Sequence, residues 1–166
     1  MDISKSYDDI AYPDSYILGI LNKVRSIAMV GASSNWRRPS NFAMKYLIQK
    51  GFRVIPVNPN SEANEIFGEN VLPDLESISE QVDMVDMFRP AHEACGLVED
   101  AIKIGAKVFW MQLDIINKDA AKKAEEAGLQ VVMDRCPKIE YARLFGELGW
   151  NGINTGIVTN RRRRIK

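Results

Sequence analysis

Ile27-Ala28-Met29-Val30-Gly31-Ala32-Ser33-Ser34-Asn35-Trp36-Arg37-Arg38-Pro39-Ser40-Asn41 reads as a buried strand, a turn of small residues and the start of a helix. The apolar run Ile27 to Val30 suits a short buried strand. Gly31 permits a turn that a residue with a Cβ resists, and Ala32, Ser33 and Ser34 leave the backbone approachable. N–H groups at a helix N-terminus, added to the helix dipole, favour an anion there, and Arg37 and Arg38 bring positive charge beside it. The stretch predicts a site for a phosphate-bearing ligand.

Working outward, the same grammar recurs. Gly51-Phe52-Arg53-Val54, Gly105-Ala106-Lys107-Val108 and Gly128-Leu129-Gln130-Val131 each present a glycine, an apolar residue, a polar residue and a valine. Each predicts a helix stop followed by a strand. Before them lie helix patterns: Phe42, Ala43, Tyr46 and Leu47 from about Ser40 to Lys50; Ala94, Leu97, Val98, Ala101 and Ile102; and Ala120, Ala121, Ala124 and Ala127. A further helix opens the chain, with Pro13 in its first turn and Tyr16, Ile17, Ile20, Leu21 and Val24 inward. Val82 to Phe88 and Val108 to Met111 read as strands, and a short helix spans about Ile139 to Phe145. Asn58 to Asp74 is weakly patterned and reads as a long irregular connection that holds one short strand. Alternation of this kind predicts an α/β fold: a Rossmann-like, doubly wound parallel sheet of about five strands with helices on both faces. We expect one domain over residues 1–145 and an irregular basic tail over 146–166, where Gly149, Gly152 and Gly156 break any helix.

Composition narrows the function classes. The 166 residues are 46% hydrophobic and can bury a core without cross-links. No apolar run approaches the roughly 20 residues of a membrane span, and the N-terminus lacks a basic-then-apolar signal pattern, so we expect a cytoplasmic protein. Cys95 and Cys136 fit neither a disulfide framework nor, with a single histidine, a metal cluster. Residues 1–160 hold 17 Lys and Arg against 22 Asp and Glu, a net of −5, and the remaining five cations lie at Arg161 to Arg164 and Lys166. An acidic body argues against nucleic acid; the tail reads as solvated.

In such a sheet, ligands bind beyond the carboxyl ends of the strands. The turn after the first strand has only the first glycine of the dinucleotide fingerprint, which counts against NAD. Where NAD enzymes place an acid after the second strand, this chain has Asn58-Pro59-Asn60, as consistent with a plain turn as with a ligand contact. Phe88-Arg89 ends a strand with an aromatic and a cation that suit adenine or a pantetheine arm; taken alone, they read first as core packing and a surface ion pair. Gln112 offers an amide to a ligand or stands there without a role. Asp83, Asp86 and Asp134 fall at strand ends without any sign of convergence. His92 stands alone, and no catalytic constellation emerges. Cys136 lies after the last strand, as a buried inert thiol or as a partner for a thiol ligand in a mixed disulfide.

The stretches Gly31-Ala32-Ser33, Arg38-Pro39-Ser40, Val57-Asn58-Pro59, Val85-Asp86-Met87-Phe88-Arg89, Trp110-Met111-Gln112 and Asp134-Arg135-Cys136-Pro137-Lys138-Ile139-Glu140 resemble those of the small stand-alone CoA-binding proteins. That family is similar to the CoA-binding domain of the succinyl-CoA synthetase α subunit, and the resemblance runs over about residues 10 to 145. It implies coenzyme A or acyl-CoA as ligand. The phosphates would lie at Gly31, Ala32, Ser33 and Ser34 with Arg38 and Ser40, and the adenosine end near Asn58, Pro59 and Asn60. Phe88 and Arg89 would flank the cofactor, and Gln112 would lie toward the pantetheine arm. The ligase relatives carry their phosphohistidine in a second domain, so the resemblance implies binding without ligation. Partners beyond the small molecule stay open, a homo-oligomer among them. Two departures stand out: Asn60 replaces a lysine common in relatives, and Asp114 replaces a glycine. The alternatives are an NADP-dependent oxidoreductase using Arg37 or Arg38, and a CoA-thiol redox protein using Cys136.

Overall fold

The computed structural model describes residues 10–145; the expected basic tail lies outside them. In chain order the elements are α1 (Asp14–Lys23), β1 (Ser26–Val30), α2 (Pro39–Gln49), β2 (Arg53–Val57), β3 (Glu65–Ile66), β4 (Glu69–Asn70), β5 (Met84–Met87), α3 (Ala94–Lys103), β6 (Val108–Met111), α4 (Lys118–Glu126), β7 (Gln130–Val132) and α5 (Pro137–Leu144). Five strands form one parallel sheet in the order β2-β1-β5-β6-β7. The chain steps outward from β1 to β2, then crosses to β5 on the other side of β1, so the winding reverses beside β1.

Alternation along each strand divides the core in two. Ala28 and Val30 of β1, Val85 and Met87 of β5 and Phe109 and Met111 of β6 pack against Val98 of α3 and Ala124 of α4. Ile27, Met29, Met84 and Trp110 face the opposite way, onto Ile17 and Ile20 of α1 and Met44 and Leu47 of α2. The three glycine handovers are three copies of one cap. Phe52, Ala106 and Leu129 donate their N–H groups to the carbonyls of Leu47, Ala101 and Ala124, five residues back, while Gly51, Gly105 and Gly128 take positive φ. That 6→1 bond with a left-handed glycine is the Schellman motif, and the apolar residue after each glycine is buried by it.

Several expectations need correction. Phe42 faces outward at 48% exposed, and Ser40, Asn41 and Met44 take the inward positions of α2 with Ala43 and Leu47. Ala127 caps α4 from the exposed side. The connection after β2 carries two short strands rather than one: β3 and β4 form an antiparallel hairpin, turned at Phe67 and Gly68, both with positive φ. Leu72 then bridges Val57 in parallel, covering the outer edge of β2. Asp86 is not at a strand end but inside β5, fully buried. Asp83 precedes β5 at the amino edge, where its carboxylate accepts from the backbone of Arg25 and Ser26, and Asp134 follows β7 at the carboxyl edge. The two cannot meet on a substrate.

Candidate functional site

The turn after β1 is built by side chains that hold its carbonyls. Asn58, just past β2, donates its amide to the Ala32 carbonyl at 2.8 Å, and Asn41 of α2 donates to the Ser33 carbonyl at 2.8 Å. In a trans peptide the following N–H points the opposite way, so the Ser33 and Ser34 N–H groups are turned away from those amides. Neither N–H has an acceptor among the described residues. The Ser33 hydroxyl accepts from Asn35 N–H, and the Asn35 side chain accepts from Arg37 N–H, which fixes the rest of the loop. Gly31 adopts φ +88, and a Cβ there would lie 3.0 Å from the Phe88 carbonyl oxygen and 3.1 Å from Arg89 Cδ. The glycine thus serves both the turn and the close approach of the chain leaving β5.

A cleft of about 260 Å³ opens between this loop and the turn after β2. Ser33, Ser34, Asn35 and Arg38 form one wall; Asn58, Asn60, Ser61 and Glu62 form the other. The second wall is pinned as well. Asn58 Oδ1 accepts from Asn60 N–H, the Asn58 carbonyl accepts from Ser61 N–H, and the Ser61 hydroxyl bonds both ways with Ala63. Neither Arg38 nor Glu62 forms an ion pair among the described residues. The cleft is therefore a polar pocket lined by serine hydroxyls and asparagine amides, with one cation and one anion that have no ion-pair partner among the described residues.

The other expected residues fall around it. Pro59 is exposed in the second turn, while Ser40 is buried beneath the first. Phe88 packs against the core and Arg89 grips Glu93 through two parallel bonds of 2.9 and 2.8 Å, so both stand beside Gly31 with their outer roles already partly filled. Gln112 is buried, and its amide donates to Asp86 Oδ1 at 2.7 Å. Burial pushes the Asp86 carboxyl up to about 7, and its second oxygen has no partner. Cys136 is buried at the start of α5, and burial pushes its thiol up to about 11, leaving it protonated and unreactive at neutral pH. His92 is exposed, 4.0 Å from Glu93. No cluster of metal-ligating side chains occurs among the described residues, and no described helix is long and apolar enough to cross a membrane.

Ser61 falls at the end of the Asn58–Ser61 stretch that the sequence places on the ligand edge, whereas Asn35, Asn41 and Glu62 are not singled out by the sequence. For Asn41 there was a signal, an amide on the first turn of a helix that must dock against a sheet; for Glu62 there was none, since its distance from β2 gives no periodic cue.

Residues 25–142 match the CoA binding domain family. The chain belongs to that family. A Bacillus subtilis (strain 168) relative, the uncharacterised protein YneT, is 33% identical over 123 residues, covering 74% of this chain and 90% of its own length. A hypothetical protein from Pyrococcus horikoshii OT3 shares 40% identity with a TM-score of 0.77, covering 88% of this chain and all of that one. The dinucleotide-forming acetyl-coenzyme A synthetase 1 of Ca. Korarchaeum cryptofilum aligns at 23% identity and a TM-score of 0.59, over 69% of this chain and 27% of its own, and so shares the fold. In this CoA-binding domain the residues at the cleft fit a diphosphate. Backbone N–H groups without an acceptor and a guanidinium without an ion pair among the described residues are the kind of donors that phosphate oxygens require.

Proposed function

We propose that this chain binds coenzyme A or an acyl-CoA without acting on it. The pyrophosphate lies against the Gly31–Ser34 turn with Arg38, and the adenosine end lies toward Asn58–Glu62. The observation that carries this reading is the turn itself, whose Ala32 and Ser33 carbonyls are held by Asn58 and Asn41 while the Ser33 and Ser34 N–H groups have no acceptor among the described residues. Ser40 and Asn58 act as positioning residues: one packs beneath the turn, the other holds it. Phe88 and Arg89 border the path of the arm, and Gln112 supports it from behind through Asp86.

Binding without chemistry is supported by the state of the reactive groups. The Cys136 thiol is buried and protonated, which counts against a mixed disulfide with CoA, and Asp83 and Asp134 sit on opposite edges of the sheet. A nicotinamide reading has only the first glycine of its fingerprint. Calorimetric titration with CoA, acetyl-CoA, NAD and NADP tests the assignment. CoA and acetyl-CoA should bind, with Arg38→Ala weakening both about tenfold through loss of a charge-assisted contact. No heat from CoA at millimolar concentration would overturn it.

A further inference from the structure

We infer that Glu62 is a specificity-determining residue, which selects a CoA-type ligand whose adenosine ribose carries free hydroxyls over one bearing a 3′-phosphate. The inference rests on the proposed binding of the adenosine end at the second wall of the cleft.

Charge within the cleft is balanced: Arg38 is the cation of its lining and Glu62 the anion, and neither is neutralised by another side chain among the described residues. The remaining lining groups are serine hydroxyls and asparagine amides. A diphosphate engages Arg38 and the N–H groups of the first wall, which leaves no cation at the second wall for another phosphate. Glu62 sits there instead. Its backbone is held on both sides, because Ser61 N–H donates to the Asn58 carbonyl and the Ser61 hydroxyl bonds to Ala63. The carboxylate is thus carried on a fixed turn beside Asn60. A carboxylate accepts from ribose hydroxyls, whereas a phosphate at the same place meets like charge at short range. The same repulsion applies to a 2′-phosphate and disfavours NADP.

CoA and dephospho-CoA differ only in the 3′-phosphate, so titration of the full chain with each at physiological ionic strength reads the effect directly. Dephospho-CoA should bind about five- to tenfold tighter than CoA, the scale of one short-range like-charge contact at an exposed site. Glu62→Gln should bring the two within about twofold, mainly by strengthening CoA. Glu65→Gln removes an equal charge from an exposed position outside the cleft and should leave the ratio unchanged. CoA binding as tightly as dephospho-CoA to the unaltered chain, or a ratio unmoved by Glu62→Gln, overturns the inference while leaving CoA binding intact. If neither compound binds, the functional reading itself falls and this inference falls with it.

Discussion

Asp86 is an acid in the centre of a parallel strand, between Met29 on one neighbour and Trp110 on the other. Gln112 satisfies one oxygen, while the other is buried and unpartnered. Burial disfavours the charged form, which is why the carboxyl rises from 3.8 to about 7. The folded state therefore keeps a proton that the unfolded chain releases as pH rises through the window from about 4 to about 7. Over that window this residue makes stability fall, and above it the loss is complete. Asp86→Asn retains an acceptor for Gln112 and removes the charge. Urea unfolding of both chains at pH 5 and pH 8 should show the variant more stable at pH 8 by on the order of 1–4 kcal/mol, with most of that gain gone near pH 4. Parallel pH profiles for the two chains would refute this. In sequence Asp86 is only an acid inside Val-Asp-Met, and nothing local marks it as interior to the strand rather than at its end. Burial on both faces depends on partners far along the chain, as does the role of Asn41.

The element scale was the most legible. Three glycine handovers could be read from four residues each because a Schellman cap is a local structure, with its apolar residue supplied by the next position. The facing of α2 departs from its hydrophobic pattern: Phe42 lies outward, because the inward places near the turn go to Ser40 and Asn41. The β3–β4 hairpin has a weak sequence signal, since its turn at Phe67-Gly68 lacks the usual asparagine or aspartate. One element problem has no sequence signature at all: β7 is an edge strand, and the chain before and in α1 covers it. The Tyr16 hydroxyl accepts from Val131 N–H at 3.1 Å and donates to its carbonyl at 3.2 Å, and the Tyr12 hydroxyl accepts from Met133 N–H at 2.9 Å. These are the alternate residues whose backbone groups face away from β6. Tyr16→Phe would leave a donor and an acceptor without partners and should cost about 1–3 kcal/mol. Amide exchange at Val131 should accelerate while exchange in β1 follows only the global loss. Unchanged protection at Val131 would remove Tyr16 from this role.

At the scale of the molecule, the proposed ligand cleft and the alanine-packed helices lie on different halves of the sheet. The alternation of strands and helices predicted a doubly wound fold, but the order β2-β1-β5-β6-β7 required the pairing itself. That order puts the cleft over β1 and β2 and leaves α3 and α4 on the far half, where the packing is made by small residues. Ala120, Ala121 and Ala124 let α4 lie close to β7 and α3, and Ala124 is fully buried. Enlarging it forces that close packing apart without reaching the first turn, whose geometry depends on Asn41 and Asn58. Ala124→Leu should therefore cost about 1–3 kcal/mol by overpacking and lower the melting temperature, yet leave CoA affinity within about twofold. Asn41→Ala should do the reverse. It frees the Ser33 carbonyl, loosens the first turn and should weaken CoA about tenfold, for roughly 1 kcal/mol of stability. Melting curves and titrations on the two variants check both halves. If Ala124→Leu, still folded at the titration temperature, loses CoA binding as Asn41→Ala does, the two halves of the sheet are coupled and the segregation fails.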